Sequence, residues 1–550
     1  MAEKIIKDSV HGYIVIEHDF VDIINSAEFQ RLKYIEQGSF RVLFPAARHD
    51  RFIHSLGVYH LARIFADNFI NNMCEDLDIE KECNKDEIDR LKKTFRYAAL
   101  LHDIGHAPFS HTTEKFFVSK LDGEQTELNK TLLSVIEKYL CDDTAKYKRF
   151  HKEYVEMKMS PAPHEIMSAI LLVKNAERFL SKNLNEVDIE LAARMVIGCT
   201  FDYQVDVDLS ETEKLIVGIK NCFIRLLNSN AVDVDKLDYI KRDTEMSGFA
   251  NVSIDIERLA RSVTAIKQRS WLCPAFRKNA LSVIDNVFRA KTEQGLWVVS
   301  HPVVIYDAAL LENCIKKLQK YMEQDNYIEK VFSVEGLSRE GVQVGRKIYR
   351  LVNDIDISAD LKKNLDREEI FWELYDRQVR RSPVWKSYYE YKHIFDLDND
   401  SEKLESVYVF FKALIDFLCN MNIFVLNDES MGEIESAERT QADRKVIERV
   451  KFLRDFCQTE GVKFDFVLLK AVNAFSSKVS KKDIFVRFGK KVRTDKNNYV
   501  TYEFLEGATF KGEKQRMFYL YSKEKFSDQN LISFREKIFD QISSENIPQV

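Results

Sequence analysis

Residues that interrupt helices are scarce along this chain. Only 17 glycines and 8 prolines occur in 550 residues, and apolar residues recur at three- and four-residue spacing in segments such as 28–37, 58–70 and 91–101. Both features are typical of helices that bury one face, because a glycine or proline inside a helix costs about 1 to 3 kcal/mol. The sequence therefore predicts a mainly α fold with a compact helical core.

Two parts of the chain depart from this helical pattern. The first eighteen residues have the pattern of a short extended or hairpin segment, and segments 483–488, 499–504 and 516–521 alternate apolar and polar residues as strands do. We therefore predict three regions: a helical functional domain with the N-terminal extended segment, a helical accessory region, and a small basic α+β C-terminal lobe, over residues 1–330, 331–477 and 478–550.

The charge balance restricts the kinds of partner. A formal net charge of −6 gives no attraction of the whole molecule to nucleic acid, so phosphate binding must be local, and binding to nucleic acid stays open. Segment 478–525 is basic, with 13 Lys and Arg against 6 Asp and Glu. Such a segment is typical of a solvated face, and also of a surface that contacts phosphates or another subunit.

Neither export nor membrane insertion is predicted. The N-terminus is charged where a secretory signal needs an apolar core, and the most apolar later stretch, 407–426, contains Lys412, Asp416 and Asn420. The nine cysteines include no close pair, which indicates neither a disulfide framework nor a thiolate zinc site. We expect a soluble, cytoplasmic protein that binds no membrane.

Histidines are concentrated in one part of the sequence. Six of the twelve lie between positions 49 and 111, and three of these fall in the run from His102 to His111. The His102-Asp103 pair ends an apolar helical segment just before Gly105 and Pro108 interrupt it. We expect both side chains to be held at a helix terminus, facing a cavity.

A hydrolytic metal site needs imidazoles and carboxylates from several segments, because four local residues rarely surround one ion. Upstream, Arg51 lies one helical turn before His54, so one helix face presents an anion clamp beside a ligand. Downstream, Asp235, Tyr239 and Asp243 follow at four-residue spacing on one helix face. These segments are the candidates for completing a site around His102 and Asp103.

The motifs together resemble those of a known family. The resemblance is dense over roughly residues 4–250 and includes segments 8–12, 29–37, 44–47, 51–57, 102–111, 164–165 and 233–243. These segments are similar to the HD-domain deoxynucleoside triphosphate triphosphohydrolases, in particular to the branch of the SAM-and-HD-domain enzymes. The resemblance implies an HD-domain helical core and hydrolysis of a deoxynucleoside triphosphate (dNTP) to deoxynucleoside and inorganic triphosphate.

The resemblance also implies roles for individual residues. It makes His54, His102, Asp103 and Asp235 the ligands of a divalent ion, and this ligand set suits Mn, Fe, Mg or Zn. His111 is the first choice for the proton donor, with Glu114, in place of the family's usual Asp, to orient it and with His106 and His164 nearby. Arg51 and Lys236 would neutralise phosphates, and Gln37, Tyr239 and Asp243 would contact the sugar, although Gln37 and Asp243 are also suited to satisfying buried helix ends. Arg289 and Lys291 suit either phosphate contact or a surface position.

Assembly and regulation are implied in the same way. Relatives form oligomers, and several are activated by nucleotides, so we predict a homo-oligomer, a dimer or tetramer, under allosteric control. Asn25 and Lys33 replace the Asp and Arg that read a guanine activator, so any activator is read differently here. Two alternatives stay open: an HD phosphohydrolase acting on a cyclic dinucleotide, an alarmone or an oligonucleotide, and a nucleotide-sensing HD protein without catalysis. The sequence indicates neither the base preference nor the physiological metal.

Overall fold

A computed structural model shows a mainly α protein, as predicted. It describes residues 3–79, 85–117, 121–122, 125–141, 143–156, 158–202, 209–230, 232–249, 252–268, 271–322, 326–396, 401–437, 440–471, 483–488, 498–503 and 516–544. Within these ranges the helices are α1 Val21–Ile24, α2 Ala27–Arg31, α3 Arg51–Leu77, α4 Lys85–Leu101, α5 Glu127–Tyr139, α6 Thr144–Glu156, α7 Pro163–Lys174, α8 Ala176–Leu180, α9 Ile189–Ile197, α10 Glu211–Leu227, α11 Val234–Ser247, α12 Ile256–Ser262, α13 Leu281–Gln294, α14 Pro302–Tyr321, α15 Tyr327–Val331, α16 Val334–Leu337, α17 Asp354–Asn364, α18 Glu369–Tyr375, α19 Tyr388–Phe395, α20 Ser401–Asn420, α21 Asp428–Ser436, α22 Gln441–Glu460 and α23 Asp528–Ser544.

Within the same described ranges the strands are short and form two four-stranded sheets and three hairpins. They are β1 Lys4–Asp8, β2 Gly12–Ile16, β3 Leu121–Asp122, β4 Gln125–Thr126, β5 Val263–Gln268, β6 Trp271–Arg277, β7 Val342–Val344, β8 Lys347–Tyr349, β9 Ser382–Pro383, β10 Leu426–Asn427, β11 Asp465–Lys470, β12 Phe485–Arg487, β13 Tyr499–Thr501 and β14 Phe518–Ser522. The sheets have the orders β13-β12-β6-β5 and β10-β11-β14-β9. The predicted N-terminal hairpin is confirmed as β1 and β2, which pair antiparallel from Lys4 opposite Ile16 to Asp8 opposite Gly12.

The chain divides into two compact units, each built from three stretches. The first unit comprises Met1–Gln294, Gln319–Asp360 and Lys478–Lys511, and the second comprises Gly295–Leu318, Leu361–Ser477 and Gly512–Val550. The predicted boundary at 330 does not coincide with this division, since β7, β8 and the start of α17 belong to the first unit. The predicted boundary at 477/478 lies outside the described residues.

The predicted C-terminal lobe is divided between the two units. The strands predicted there are present as β12, β13 and β14, but β12 pairs in parallel with β6 of the first unit, whereas β14 pairs with β9 and β11 of the second. Buried strands pair wherever apolar faces and backbone groups match, whatever their separation in sequence. A composition change along the chain therefore does not mark a unit boundary here.

The first unit has a helical core around α3. Asp50 caps this 27-residue helix by accepting a hydrogen bond from the Ile53 amide at 3.0 Å. The helix then packs against α4, α11 and β5, with Leu56, Val58 and Phe65 buried. The helix predicted over 28–37 is shorter in the structure, because α2 ends at Arg31, a 3₁₀ turn follows, and Ile35 is extended and accepts a hydrogen bond from the Arg51 amide.

The second unit has its own aromatic core. Phe411 stacks on Phe518 at 4.1 Å, and the buried Trp385 donates a hydrogen bond to the Phe518 carbonyl at 2.8 Å. Within the described ranges no single helix is long and apolar enough to cross a membrane, and the segments Lys278–Val299 and Pro302–Tyr321 reach that length and composition only together, across a bend.

Candidate metal centre and its surroundings

Three elements of the first unit bring the predicted ligands together. His54 lies in the first turn of α3, His102 and Asp103 directly follow the end of α4, and Asp235 lies in the first turn of α11. The start of α11 is fixed by Asp233, whose side chain caps the helix by accepting from the Lys236 amide at 2.8 Å. The ends of helices from distant parts of the sequence therefore define the centre.

The donor atoms have the spacing that one small cation requires. The Nε2 atom of His54 lies 3.3 Å from that of His102 and 3.1 Å from Oδ1 of Asp235. The His102 Nε2 atom lies 3.5 Å from the same Asp235 oxygen, and the Asp103 carboxylate lies 3.5 Å from both imidazoles. Ligands at 2.0 to 2.2 Å from a tetrahedral ion are themselves about 3.3 to 3.6 Å apart, which is close to these distances between the imidazoles and the carboxylates. One donor atom from each of His54, His102 and Asp103 lies within 4.8 Å of the others, as a shared ion requires.

The hydrogen bonds behind the imidazoles orient their lone pairs. The Nδ1 atom of His102 lies 2.8 Å from the Ala99 carbonyl, and that of His54 lies 2.7 Å from Oδ2 of Asp238. Each Nδ1 must donate to these acceptors, which leaves Nε2 as the unprotonated ligand atom on the side of the centre. The tautomer that metal binding needs is thus fixed by the fold.

The electrostatics of the centre favour positive charge. Burial alone would lower the pKa of His54, but hydrogen bonds with Asp235 and Asp238 raise it to about 9. Burial would likewise raise the pKa of Asp235, but the imidazoles of His102 and His54 hold it well below its usual value. The carboxylates thus favour a positive charge at this point, which a divalent cation would supply while displacing any proton from Nε2.

The pattern of motifs did not single out Asp238, which is the hub behind this centre. Its buried carboxylate contacts His54, accepts from Arg242 at 2.9 Å and lies 2.6 Å from Nε2 of His11. Arg242 in turn donates to both oxygens of Asp8. The available signal was the spacing of Asp238 and Arg242, one turn apart on the helix face next to Asp235.

A second group of imidazoles lies next to the centre. His106 stacks on His164 with ring centroids 4.3 Å apart, and His111 lies 5.0 and 5.1 Å from these two rings. The predicted pair of His111 and Glu114 is present at 3.3 Å, but the same carboxylate makes a shorter contact, 2.5 Å, with Nδ1 of His164. Glu114 therefore serves two imidazoles, and we call these four residues the imidazole cluster.

The pKa values of two histidines in the imidazole cluster are shifted in opposite directions. Burial lowers the pKa of His164, but the hydrogen bond that it donates to Glu114 raises this pKa above its usual value. Burial raises the pKa of Glu114, but His111 and His164 lower it below its usual value. Burial and the nearby Arg51 hold the pKa of His106 well below its usual value. Two stacked imidazoles thus have pKa values displaced in opposite directions.

Comparisons with known proteins bear on this geometry. A family model described as HD domain matches residues 51–158, which include His54, His102 and Asp103. The chain contains an HD domain. Because the match covers a fifth of the chain, it identifies this domain and leaves the activity of the whole protein open.

Several known proteins are similar in sequence to parts of this chain, at 25 to 40% identity. A deoxynucleoside triphosphate triphosphohydrolase SAMHD1 homolog from Dictyostelium discoideum is 30% identical over 265 residues, covering 47% of this chain and 39% of its own length. An uncharacterized protein, YwfO, from Bacillus subtilis is 25% identical over 338 residues, covering 59% of this chain and 58% of its own length. Human SAMHD1 is 40% identical over 116 residues, 21% of this chain and 17% of its own. The chain thus spans about half or less of the length of these relatives.

A solved structure shows that the fold has a counterpart. A hypothetical protein from Aquifex aeolicus has a TM-score of 0.50 and 17% identity, covering 98% of this chain and 100% of its own. At this identity the similarity concerns the fold alone.

The residues predicted to bind phosphates differ in how many hydrogen bonds their side chains already donate to the protein. Arg51 is buried and donates to Asp103 at 2.7 Å, to Ser110 and to the Gln37 carbonyl. Lys236 donates to the Ser229 carbonyl and to Asp233. Burial and the neighbouring Lys236 lower the pKa of Lys291 to about 8, so a second ammonium lies close by, whereas Arg289 is exposed.

The residues predicted for the sugar are buried or half-buried. Asp243 is engaged on both oxygens, by His49 at 2.7 Å and Gln294 at 2.6 Å. The Oε1 atom of Gln37 is buried without a hydrogen-bond partner among the described residues. Tyr239 is half-buried, and burial together with Asp235 holds its pKa well above the usual value.

The predicted accessory region contributes to the surroundings of the HD domain. Asp354 accepts hydrogen bonds from the amides of Phe109 at 2.6 Å and Glu36 at 2.9 Å, and burial raises its pKa to about 7. Arg31 donates to the carbonyls of Val352 and His106. Residues beyond 330 therefore fix the backbone on both sides of the imidazole cluster.

Proposed function

We propose that this protein is a metal-dependent phosphohydrolase that converts a dNTP into deoxynucleoside and inorganic triphosphate. The observation that carries the proposal is the convergence of His54, His102, Asp103 and Asp235, in which each carboxylate lies 3.1 to 3.5 Å from both imidazoles. The HD domain and the relatives described as dNTP triphosphohydrolases support a hydrolase and suggest the substrate. Mn, Fe, Mg and Zn are all compatible with two imidazoles and two carboxylates.

The protein's own groups around the centre would bind and orient the substrate. A divalent ion held by the four ligands would supply Lewis acidity and make water easier to deprotonate. Lys236 and Lys291 would neutralise the outer phosphates, because both ammonium groups lie near the acidic end of α11. Arg51 is better suited to holding Asp103 in place, since its guanidinium already has three protein acceptors.

A departing 5′-oxygen needs a proton, and the imidazole cluster would provide it. His111 is the proposed donor because its side chain is 60% exposed and still lies within 3.3 Å of Glu114. His164 shares this carboxylate and would keep a proton in the pair near neutral pH, since its pKa is raised. His106 would remain neutral beside them.

The sugar would be read by polar groups that the fold keeps in place. The buried Oε1 of Gln37 accepts no hydrogen bond from the described residues, and a sugar hydroxyl would supply a donor for it. Tyr239 would pack against the sugar ring, and Asp243 would contact it while held by His49 and Gln294. A pocket closed in this way would favour 2′-deoxy substrates.

The test is a product analysis with isotope labelling. The purified protein is incubated with Mn²⁺ or Mg²⁺ and each of the four dNTPs in H₂¹⁸O, and the products are separated. Attack at the α-phosphorus predicts deoxynucleoside and triphosphate, with the label in the triphosphate. Asp235→Ala should abolish release, whereas His151→Ala, an exposed histidine on α6, should leave it unchanged.

Other outcomes would redirect the proposal. Release of monophosphate and pyrophosphate would contradict the triphosphohydrolase reaction. Turnover of a cyclic dinucleotide, an alarmone or an oligonucleotide, with none of any dNTP, would keep the hydrolase and change its substrate. Binding of dNTPs without products in any metal would favour a nucleotide sensor.

Assembly and activation complete the proposal. We propose a homo-oligomer activated by a nucleotide other than one read through guanine, since Asn25 accepts from Lys4 at 3.1 Å and Lys33 lies over the Phe52 ring at 4.6 Å. Hydrolysis of each dNTP alone and in pairs, followed with the molar mass by light scattering, tests both parts. Rates that are independent of a second nucleotide and a constant monomer mass would contradict them.

A further inference from the structure

We propose that His106, His111 and His164 form a second metal site, one that takes a zinc-class transition-metal ion beside the first centre. One donor nitrogen from each lies within 4.8 Å of the others. Imidazole nitrogen is a preferred ligand of zinc and a poor one for magnesium. None of these three imidazoles is a ligand of the four-ligand centre.

Two of these imidazoles have a carboxylate behind Nδ1. Glu114 lies 3.3 Å from Nδ1 of His111 and 2.5 Å from Nδ1 of His164. A carboxylate that holds Nδ1–H leaves Nε2 as the ligand atom, and this arrangement stands behind most metal-bound histidines. One carboxylate therefore prepares two ligands at once.

The third imidazole makes no hydrogen bond to any described residue, although Oδ1 of Asp103 lies 3.4 Å from its Nε2. Both ring nitrogens of the fully buried His106 are without a hydrogen bond among the described residues. A buried polar group left unsatisfied costs about 1 to 3 kcal/mol, so the fold retains an unfavourable arrangement unless something binds there. An ion at this point would satisfy one of the two nitrogens.

Asp103 links the two sites. Its Oδ1 atom lies 3.4 Å from Nε2 of His106 and 3.5 Å from Nε2 of His102. The same carboxylate oxygen therefore faces both groups of imidazoles and would offer a fourth, anionic ligand to the second ion. Two dications near one another are acceptable here because Asp103, Asp235 and Glu114 supply three negative charges.

Binding requires a modest movement. Donors around a tetrahedral zinc ion are about 3.3 to 3.4 Å apart, whereas these nitrogens lie within 4.8 Å of one another. The imidazoles must therefore approach one another by about 1.5 Å at most, and the stack of His106 on His164 must open by a tilt. His111 is the ring that can move most easily, since its side chain is 60% exposed. The buried pair would then keep most of its packing.

Occupation of this site has a functional consequence, which rests on the proposed function. A metal-bound imidazole has no lone pair or exchangeable proton left on that nitrogen, so His111 and His164 would no longer deliver a proton. Zinc beyond the first equivalent should therefore inhibit hydrolysis supported by the first ion. The binding itself does not depend on the reaction.

The test counts ions in the full-length protein. After treatment with chelator, ZnCl₂ is titrated calorimetrically, and metal content after dialysis is measured by mass spectrometry. Wild type should bind two ions, His164→Ala and Asp235→Ala one each, and the double variant neither, whereas His151→Ala should bind two. Glu114→Gln should weaken the second site alone, by roughly 10- to 100-fold in Kd.

The outcomes separate this proposal from the proposed function. One ion in wild type, or two in a His164→Ala variant with wild-type circular dichroism, would overturn it. Two ions in the zinc titration, together with no turnover of any nucleotide by the zinc-free protein in Mn²⁺ or Mg²⁺, would leave this site standing and refute the hydrolase. Turnover that excess zinc does not reduce, despite a second bound ion, would refute the inhibitory role.

Discussion

Replacing Asp238 with asparagine tests whether the hub behind the metal centre positions it. The carboxylate now faces four donors: His54 and Arg242 on Oδ2, and His11 and Arg242 on Oδ1. An asparagine accepts on one side only, and its amide nitrogen must face two of these donors. If that nitrogen faces His54, the imidazole can only accept at Nδ1, so its proton moves to Nε2 and the metal ligand is lost.

The expected magnitude follows from the role of such partners. Loss of the carboxylate behind a metal-binding histidine weakens metal affinity about 10- to 100-fold, or roughly 1.4 to 2.8 kcal/mol of binding free energy. Breaking a buried ion pair costs about 3 to 5 kcal/mol of stability. Because Arg242 keeps its two bonds to Asp8, we expect the loss of stability to lie at the lower end of that range.

Asp235→Asn is the matched control. Asp235 is a direct ligand with a one-third exposed side chain and no arginine partner among its ion pairs. It should lose metal binding more completely while lowering the melting temperature of the metal-free protein less. The assays are calorimetric titration with Mn²⁺ and thermal melting in chelator, and an Asp238→Asn protein with wild-type affinity and melting temperature would refute the reasoning.

Three further predictions concern the same unit and a control helix. In the metal-free protein the pKa of His54 is raised from 6.5 to about 9, so the stability that protonated His54 contributes is complete below pH 6.5 and lost as the pH rises through 9. Melting temperatures in chelator should fall over this interval while the affinity for Mn²⁺ rises. Melting temperatures that do not change with pH would contradict this prediction. Gly57→Ala would place Cβ 1.9 Å from Oδ1 of Asp238 in a packed interior, so we expect the free energy of unfolding measured in urea to fall by at least about 1 to 3 kcal/mol. Gly432→Ala is the control: no atom lies within 4 Å of the added Cβ, and the free energy of unfolding should rise by roughly 0.5 to 1 kcal/mol. Arg51→Lys keeps the charge but loses the planar fork that joins three acceptors, and it should reduce kcat/KM at least about tenfold by the same nucleotide assay; an unchanged value would show that Arg51 does not position Asp103.

Local patterns in the sequence predicted much of the fold and gathered the ligand candidates. Helix periodicity anticipated α3 and α4, and alternation anticipated β1, β2 and the three C-terminal strands. These features are local, because periodicity and turn residues act over one or two turns of backbone. The ligand types of the centre could also be predicted from the sequence, because imidazole and carboxylate are the groups that such an ion requires.

The side-chain contacts around the centre could not be predicted from the sequence. That Arg51 would be occupied by Asp103, or that Glu114 would serve His164 as well as His111, depends on side chains that meet only when helices pack. The contact between Asp354 and the backbone of Phe109 joins positions 245 residues apart. No spacing rule reaches over such separations.

The amino-acid order by itself determined the helical class and the N-terminal extended segment, because both depend on neighbours within a few residues. It also contained the motifs of an HD-type ligand set, which were assigned through their resemblance to a known family. Only the tertiary structure decided that Asp238 would tie His54 to the N-terminal segment and that the C-terminal strands would enter two different sheets. Buried charges and sheet edges must find partners wherever the packed chain brings them, and that choice is made by the whole fold.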